Sequence, residues 1–361
     1  MGFFDKNVIR EENTLFKNEV ALSYDFLPKD IPYREQQQQL IANALKPLFV
    51  GRNGRNLIIT GRPGIGKTAA TKFVLREVED NYSEEIYTFF INCWQLNSSF
   101  KVAEYICHEL GFKLTQNKKT NELFSIAEKI INKKTAVFVF DEIDKAEDYD
   151  FLYEILENVY TKSFLLITNY ANWIDNLDER IKSRLMAEVI SFRTYSLAEV
   201  NGILKERVSY AFVDNVFSDE VISAISEKAY QVGDIRVGIH LLRECGLLSQ
   251  ERKLKFVDME IANVVINKIS SYKDDKKVKS LDDDERLVYE LIRDNPNLPM
   301  TDLFDQYQKT GGKGVYKTFT RKIKALENSK VILTKTTGGG PKGNTTTIEL
   351  NTGDDEEDSN K

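Results

Sequence analysis

The sequence predicts an α/β fold in which a parallel sheet with helices is followed by a wholly helical region and then by three helices with a strand hairpin. Apolar runs of strand length alternate with helical patterns up to about residue 195, which is typical of a parallel sheet. From Leu197 to Ile269 the apolar spacing is helical only, and Ser271–Ser280 has the charge density of an exposed linker. A chain of 361 residues is too long for one compact domain, so we expect two or three.

The first predicted strand leads directly into a phosphate-binding loop. Asn56–Thr60 is a short apolar segment, and residues 61–68, GRPGIGKT, match the pattern G-x-x-x-x-G-K-T. In such loops backbone N–H groups surround the phosphates, Lys67 places a cation on the β and γ oxygens, and Thr68 offers a hydroxyl to Mg²⁺ at the start of a helix, here predicted over Thr68–Val78. The predicted nucleotide ligands are Gly61, Pro63, Gly64, Ile65, Gly66, Lys67, Thr68 and Ala69.

An acidic element after a second strand indicates that the nucleotide is hydrolysed. Thr135–Phe140 is an unbroken apolar run, typical of a strand covered on both faces, and Asp141-Glu-Ile-Asp144 follows it. Carboxylates at this end of a parallel strand lie on the ligand-binding edge of the sheet. We expect Asp141 to hold Mg²⁺ through water and Glu142 to orient and deprotonate the attacking water. A solvated acidic turn is the alternative interpretation, which the upstream phosphate loop disfavours.

Two further strands and two helices complete the predicted alternation. One strand ends at Thr168, which places Asn169 on the same edge as the acidic element, where its amide could hold the lytic water or the γ-phosphate. An asparagine after a strand is more often only a turn residue. The strands are predicted over Ile86–Cys93 and Phe164–Thr168, and the helices over Val102–Leu110 and Asn121–Ile131.

The composition argues against several other classes of protein. The chain is 42% hydrophobic and 29% charged with a formal net charge of −6, as expected of a soluble intracellular protein. No apolar run approaches the roughly 18 residues that a bilayer span needs, and the first residues resemble neither a secretory signal nor a myristoylation site. Cys93, Cys107 and Cys245 are dispersed in apolar patterns and are predicted to be reduced packing residues. His108 and His240 are far apart, which argues against a structural zinc.

Helical patterns dominate the rest of the chain. Ser196 and Ser218 are the predicted N-caps of two helices. Before the linker, helices are predicted over Leu197–Ala211, Ser218–Gln231, Ile235–Leu248 and Asp258–Ile269. After it, three helices and a hairpin predict a winged helix-turn-helix. The helices are Asp284–Arg293, Met300–Lys309 and Val315–Asn328, and the strands Val331–Thr334 and Thr345–Leu350 are joined by a loop over Gly338–Asn344.

Basic residues are concentrated in this last part of the chain. The segment from Lys309 to Gly343 contains nine lysines and arginines and a single acidic residue, Glu327. Its local charge is therefore +8, in a chain of net charge −6. Such segregation is typical of a face that binds phosphates, and the first turns of the third helix are where a recognition helix meets base edges. A solvated basic helix or a protein-contact surface is the alternative. The predicted DNA contacts are Tyr316, Lys317, Thr318, Thr320, Arg321, Lys324, Lys335 and Lys342.

The order of these motifs resembles that of the archaeal origin-recognition and replicative helicase-loader proteins, AAA+ ATPases related to the eukaryotic origin recognition complex. The resemblance covers about residues 8–350. Beside the phosphate loop and the acidic element, it rests on Ile31–Glu35, Ile167–Asn169, Leu177–Leu185, Phe217–Val221 and Gly233–Arg236. It implies an α/β AAA+ P-loop core with a parallel sheet, an all-helical lid and a C-terminal winged helix-turn-helix domain. Arg62 and Ile65 depart from the family's phosphate loop, and Val237 stands where the family usually has a basic residue.

The resemblance also implies roles for single residues and bounds for the domains. Asn169 corresponds to the sensor 1 residue and Arg236 to the sensor 2 residue of the lid, while Arg184 is the expected arginine finger and Arg180 the runner-up. Nucleotide contacts are implied for Pro32, Tyr33 and Arg34. The implied domains are a core over 1–195, a lid over 196–270, a linker over 271–280, a winged helix over 281–350 and an acidic disordered tail over 351–361.

The function implied by the resemblance is that of an ATP-dependent replication initiator. Such a protein binds double-stranded origin DNA, acts with other initiator copies and helps recruit or load a helicase of the minichromosome maintenance type. ATP or ADP with Mg²⁺ acts as a switch with slow hydrolysis, and we expect a cytoplasmic, nucleoid-associated protein that does not bind membranes. The alternative is an AAA+ signalling or transposition-linked regulator whose winged helix packs on its own ATPase core. A purely structural role would leave Lys67, Asp141 and Glu142 unexplained.

Overall fold

The computed structural model describes most of the chain as two compact units, Met1–Asn263 and Val264–Lys361. The finer domain bounds expected from the sequence stay a prediction, and the expected linker and acidic tail lie outside the described residues. The described residues are 14–170, 172–268, 283–295, 298–312, 314–328, 332–340 and 343–350.

The first unit is built on a parallel sheet of five strands in the order β2-β3-β4-β1-β5. The four strands expected from the sequence are present within two residues of the predicted bounds. The edge strand β5 was not predicted, because it is short and only Ile190 of its four residues is buried. The strands are β1 Leu57–Thr60, β2 Ile86–Asn92, β3 Thr135–Asp141, β4 Lys162–Thr168 and β5 Glu188–Ser191.

Helices cover both faces of this sheet. One face packs aromatic rings across three strands: Phe138 lies between Phe89 and Phe164, with ring centroids 5.0 and 5.5 Å apart. On the other face Val137 and Val139 join the apolar sides of the first two helices. The parallel α/β architecture is confirmed. The helices of this half are α1 Glu35–Leu45, α2 Lys67–Tyr82, α3 Ser99–Glu109, α4 Thr120–Ile131, α5 Asp150–Asn158 and α6 Glu179–Leu185.

The strand order determines which loops meet. Because β4 lies between β1 and β3, the segments after these three strands leave the sheet side by side at its carboxyl edge. These are the phosphate loop, the acidic element and Asn169. The pairing of Thr60 with Thr168 brings the last residues of β1 and β4 level with each other.

The predicted helical region follows the sheet. The Ser196 hydroxyl accepts from the Glu199 N–H and the Ser218 hydroxyl from the Val221 N–H, both at 3.3 Å, so the predicted caps are confirmed. Asp234 caps a third helix by accepting from the N–H of Arg236. The helices are α7 Leu197–Ala211, α8 Asp219–Val232, α9 Ile235–Glu251 and α10 over residues 259–268.

The second unit contains three helices and an antiparallel strand pair, in the predicted order, around a small core that includes Tyr307, Phe319 and Ile348. The elements are α11 Asp283–Asp294, α12 Met300–Lys309, α13 Tyr316–Asn328, β6 Ile332–Gly340 and β7 Gly343–Leu350. The predicted bounds of the loop over Gly338–Asn344 are wrong, because Gly338–Gly340 belong to β6 and Gly343 and Asn344 to β7, while residues 341 and 342 lie outside the described residues. Strand pairing continues to Gly340 and Gly343 across an irregularity, since glycine adopts extended backbone as readily as turns.

The state of the cysteines and the character of the helices agree with what the sequence composition predicts. Cys93, Cys107 and Cys245 are buried free thiols, as predicted, and burial raises the pKa of Cys245 to about 12. Within the described part of the chain, no helix combines the length and the apolar character needed to cross a membrane.

Candidate nucleotide site and basic helix

The phosphate loop has the backbone that its glycines were expected to permit. Gly61, Gly64 and Gly66 have φ values of 147°, 73° and 87°, and α2 begins directly after Gly66. A Cβ would clash at all three positions, and on Gly61 it would lie 2.7 Å from the backbone carbonyl oxygen of Phe192. A Cβ on Gly66 would lie 2.6 Å from the Tyr195 hydroxyl, and one on Gly64 only 1.9 Å from the carboxylate of Asp234.

Lys67 is buried inside the loop, with 6% of its surface exposed. Its ammonium donates to the carbonyls of Gly61 and Arg62 at 2.7 and 2.8 Å and to the Oδ1 of Asn169 at 2.9 Å. Burial lowers the pKa of Lys67 to about 8 against the opposing effect of Asp141. The loop thus holds a poorly solvated cation that a phosphate group would solvate in place of water.

The hydroxyl of Thr68 meets the carboxylate of Asp141. Thr68 Oγ1 lies 3.0 and 3.2 Å from the two carboxylate oxygens, and the N–H of Glu142 donates to the same carboxylate at 3.1 Å. Burial raises the pKa of Asp141, while the bond from Thr68 counteracts the shift. The backbone of Glu142 has a left-handed φ of 53°, a conformation that residues other than glycine rarely adopt.

Asp144 organises the neighbouring strand end. It accepts a hydrogen bond from the Thr168 hydroxyl at 3.0 Å, and the N–H of Asn169 lies 3.5 Å from the same oxygen. Lys145 forms an ion pair with its second oxygen at 3.3 Å. Asp144 thereby fixes the backbone that carries Asn169, a contribution that the motif itself did not reveal.

The phosphate loop and the ends of β3 and β4 line one cavity of about 290 Å³. Its wall includes the phosphate loop from Pro63 to Ala69 and all four of Asp141, Glu142, Asn169 and Arg236. Sequence reasoning missed part of the lining, because most of these residues belong to no motif and Ile235, within the Gly233–Arg236 motif, had no assigned role. The missed residues include Tyr24, Asp25, Phe26, Leu27, Lys72, Arg207, Ile235 and Ile239.

Arg207 fastens the N-terminal segment to the helical region. Its guanidinium donates to the carbonyls of Ala21 and Phe26 at 2.9 and 3.4 Å and lies 5.0 Å from the centre of the Phe26 ring. It also lines a second cavity of about 70 Å³ together with Pro32, Tyr195 and Ile203. The walls of this smaller cavity are mainly apolar, and it shares Gly66 and Ala69 with the first.

The three residues directly before α1 have three different surroundings. Pro32 lines the smaller cavity, whereas Tyr33 packs its hydroxyl against Gly202 of α7. Arg34 is fully buried behind the phosphate loop, where two of its nitrogens donate to the carbonyl of Ile65 at 2.9 and 3.1 Å. Its guanidinium also lies 3.8 Å from the centre of the Tyr195 ring. Arg34 therefore holds the loop in shape from behind.

Arg180 and Arg184 both lie on α6, and neither of them lines the cavity. Arg184 donates to Glu157 at 2.7 Å and lies 5.1 Å from the centre of the Tyr153 ring. Arg180 is paired with Asp178, the N-cap of its own helix, through two bonds of 3.1 Å. Both guanidinium groups are partly exposed to solvent.

The second unit gathers six of the eight predicted DNA contacts along one shallow groove. Lys322 lies on another side of α13, where it pairs with Asp284 at 3.4 Å. The side chain of Lys335 and all of Lys342 lie outside the described residues. The groove is lined by Val315, Tyr316, Lys317, Thr318, Thr320, Arg321 and Lys324.

Comparisons with known proteins agree with this architecture. Residues 51–170 match the family model of the AAA domain, and residues 201–263 match that of the Cdc6 AAA+ ATPase-type lid domain. The structure of the Aeropyrum pernix ORC1 protein in complex with DNA has a TM-score of 0.66 at 24% identity, covering 94% of each chain. The Aeropyrum pernix ORC2 protein, solved as ADPNP-ADP complexes, has a TM-score of 0.63 at 16% identity over 93% of this chain and 94% of that one.

A named relative is similar over nearly its whole length. The ORC1-type DNA replication protein 1 of Sulfurisphaera tokodaii is 30% identical, and the alignment covers 93% of this chain and 90% of the relative. The resemblance inferred from the order of motifs is confirmed. With its AAA+ core and Cdc6-type lid, this chain belongs to the family of ORC1-type DNA replication proteins.

Proposed function

We propose that this protein is an ATP-dependent initiator of DNA replication that binds double-stranded origin DNA and helps recruit or load the replicative helicase. The observation that carries the proposal is the presence, in one chain, of a cavity lined by Lys67, Thr68 and Asp141 and of an exposed basic groove on α13. The names of its relatives and the DNA complex of the Aeropyrum pernix protein support the same conclusion.

The residues of the cavity fit a nucleoside triphosphate with Mg²⁺. The Thr68 hydroxyl and the Asp141 carboxylate are the hard oxygen ligands that Mg²⁺ prefers, and they already lie 3.0 Å apart. Mg²⁺, when bound, neutralises charge on the phosphates. Lys67 would bind the β and γ oxygens, and the apolar cavity beside Pro32 and Ile203 suits the base.

Hydrolysis would rest on the two side chains at the ends of β3 and β4. Glu142 would take the proton of the attacking water and Asn169 would orient that water or the γ-phosphate. Arg236 would act from the lid of the same chain, and Arg184 from a neighbouring copy. A site that needs an arginine from a second subunit would hydrolyse ATP slowly in the isolated chain. The bound nucleotide would then persist, so ATP and ADP would act as a conformational switch.

Origin binding is tested by footprinting the full-length protein on genomic DNA, once with ATP and once with ADP. We expect a few discrete protected regions whose occupancy depends on the nucleotide. Addition of the purified replicative helicase of the minichromosome maintenance type should give a complex on the same fragments. Protection spread evenly over all duplexes, with no effect of nucleotide, would argue against an initiator.

Arg321→Ala is expected to weaken binding to the preferred site by about 1–3 kcal/mol and to reduce the preference for it, if Arg321 reaches a base edge from the groove. The matched control is Arg286→Ala, which removes an exposed arginine from α11 of the same unit. Titration of both variants with specific and random duplexes at several salt concentrations measures the effect. Equal losses in the two variants would show that only net charge matters.

Arg184→Ala is expected to leave nucleotide binding by a dilute monomer unchanged and to lower hydrolysis only where copies assemble, because Arg184 lies outside its own cavity. Arg180→Ala tests the runner-up for the same role, and Lys182→Ala on the same helix is the control, since Lys182 pairs with Glu179 and does not line the cavity. Mixing Arg184→Ala with Lys67→Ala should restore part of the activity, since each variant supplies what the other lacks. The assignment of Arg184 to the neighbour's site fails if no mixture recovers activity.

A further inference from the structure

Arg236 is engaged by an acidic neighbour on its own helix. Its Nε lies 3.0 and 3.1 Å from the two carboxylate oxygens of Asp234, and its Nη2 lies 2.6 Å from one of them. The side chain of Arg236 is about half exposed, whereas that of Asp234 is 21% exposed. Two guanidinium nitrogens therefore already bind an oxyanion, in the forked manner in which arginine also binds phosphate.

Asp234 lies directly against the phosphate loop. A Cβ on Gly64 would be 1.9 Å from its Oδ1, and the next residue, Ile235, donates its N–H to the carbonyl of Gly64 at 3.2 Å. Gly64 and Arg236 both line the nucleotide cavity. The carboxylate is thus held between the loop that receives phosphates and the arginine expected to sense them.

Arg236 interacts electrostatically with Lys67 and Glu142, two other charged residues of the cavity. Burial has the largest effect on the pKa of Lys67 and lowers it, Asp141 opposes this shift, and Arg236 lowers the pKa further. The bond from Asp234 raises the pKa of Arg236 itself, and Glu142 adds a smaller effect in the same direction. A terminal phosphate bound by Lys67 would consequently lie within the field of Arg236.

We infer that Asp234 competes with the terminal phosphate of a nucleoside triphosphate for Arg236, and so sets how strongly the site prefers ATP to ADP. The inference rests on the proposed nucleotide site. To bind the γ-phosphate, Arg236 must give up its bonds to Asp234. The loss of these bonds reduces the net binding free energy that the γ-phosphate contributes. ADP has no γ-phosphate and leaves the Arg236 and Asp234 pair intact. Asp234 is in this sense a positioning residue for Arg236.

The test is Asp234→Asn in the full-length protein. Asparagine is as good an N-cap as aspartate, so α9 should keep its first turn while the charge is lost. We expect the ratio of affinities for a non-hydrolysable ATP analogue and for ADP, measured by calorimetric titration with Mg²⁺, to rise about fivefold. Asp234→Ser, another capping residue, should raise it similarly, and matching thermal unfolding curves would show that both variants are folded.

The same change in an Arg236→Gln background separates the competition from general charge repulsion. There Asp234→Asn should leave the ratio nearly unchanged, because the arginine that Asp234 occupies is absent. A ratio unchanged in both capping variants, or one that rises equally with and without Arg236, would overturn the inference while leaving the nucleotide site standing. If the unaltered protein binds neither nucleotide, the proposed site fails and the inference fails with it.

Discussion

Lys67→Ala is expected to weaken the binding of ATP by about 10- to 100-fold, the cost of losing one hydrogen bond to a charged group. The loss should be large because Lys67 is only 6% exposed, and partly buried charges are screened little by solvent. Binding of ATP and ADP to the full-length protein is measured by calorimetry. Lys129→Ala is the matched control, since Lys129 is exposed on α4 and does not line the cavity.

A secondary effect of this change has to be separated from binding. In the structure the Lys67 ammonium also joins two loop carbonyls to Asn169. Its removal can therefore loosen the loop and lower the unfolding temperature. Thermal unfolding of the variant without nucleotide measures that cost directly. Equal affinity for ATP in Lys67→Ala and in the unaltered protein, with both folded, would refute the assignment of the cavity as a nucleotide site.

Glu142→Gln is expected to lower the rate of ATP hydrolysis by about 10²- to 10⁴-fold, the usual contribution of a general base, while ATP binding persists. Glutamine keeps the shape of the side chain, and the N–H of residue 142 can still donate to Asp141. The variant should therefore retain bound ATP for long periods. Phosphate release in single-turnover conditions, together with the nucleotide recovered from the protein, measures both effects.

Glu147→Gln is the matched control for this experiment. Glu147 belongs to the same connection after β3 but bonds to Asn97 and does not line the cavity. Its change should leave both hydrolysis and retention of ATP as they are. If Glu142→Gln hydrolyses ATP at the unaltered rate, another group accepts the proton, and the catalytic role proposed for Glu142 has to be abandoned.

Local motifs made the central part of the site predictable. The residues of the phosphate loop are neighbours in the chain, and their glycines need no distant partner to form a turn that presents N–H groups. Apolar runs of the right length indicated β1 to β4, and the rule that ligands bind at the carboxyl edge of parallel strands placed Asp141 and Asn169 near Lys67. The bond between Lys67 and Asn169 agrees with that placement.

Features without a local signal could not be predicted. β5 is a short edge strand whose alternation is too weak to distinguish it from a loop. The threonine and glycine run of the hairpin resembles a loop in composition, yet backbone pairing with the facing strand extends through most of it. Tyr24–Leu27 line the cavity, and Arg207, far along the chain, holds this segment by donating to the carbonyls of Ala21 and Phe26.

The sequence by itself determined the family, the alternation of strands and helices, the phosphate loop and the basic third helix, because each depends on residues that are close together in the chain. Only the tertiary structure revealed that Arg34 supports the loop from behind, and that Asp234 lies between Gly64 and Arg236. The contact between Arg34 and Ile65 joins residues 31 positions apart, and Asp234 lies still farther along the chain from Gly64. Such contacts arise when helices pack on the sheet, and burial then fixes which polar groups must pair.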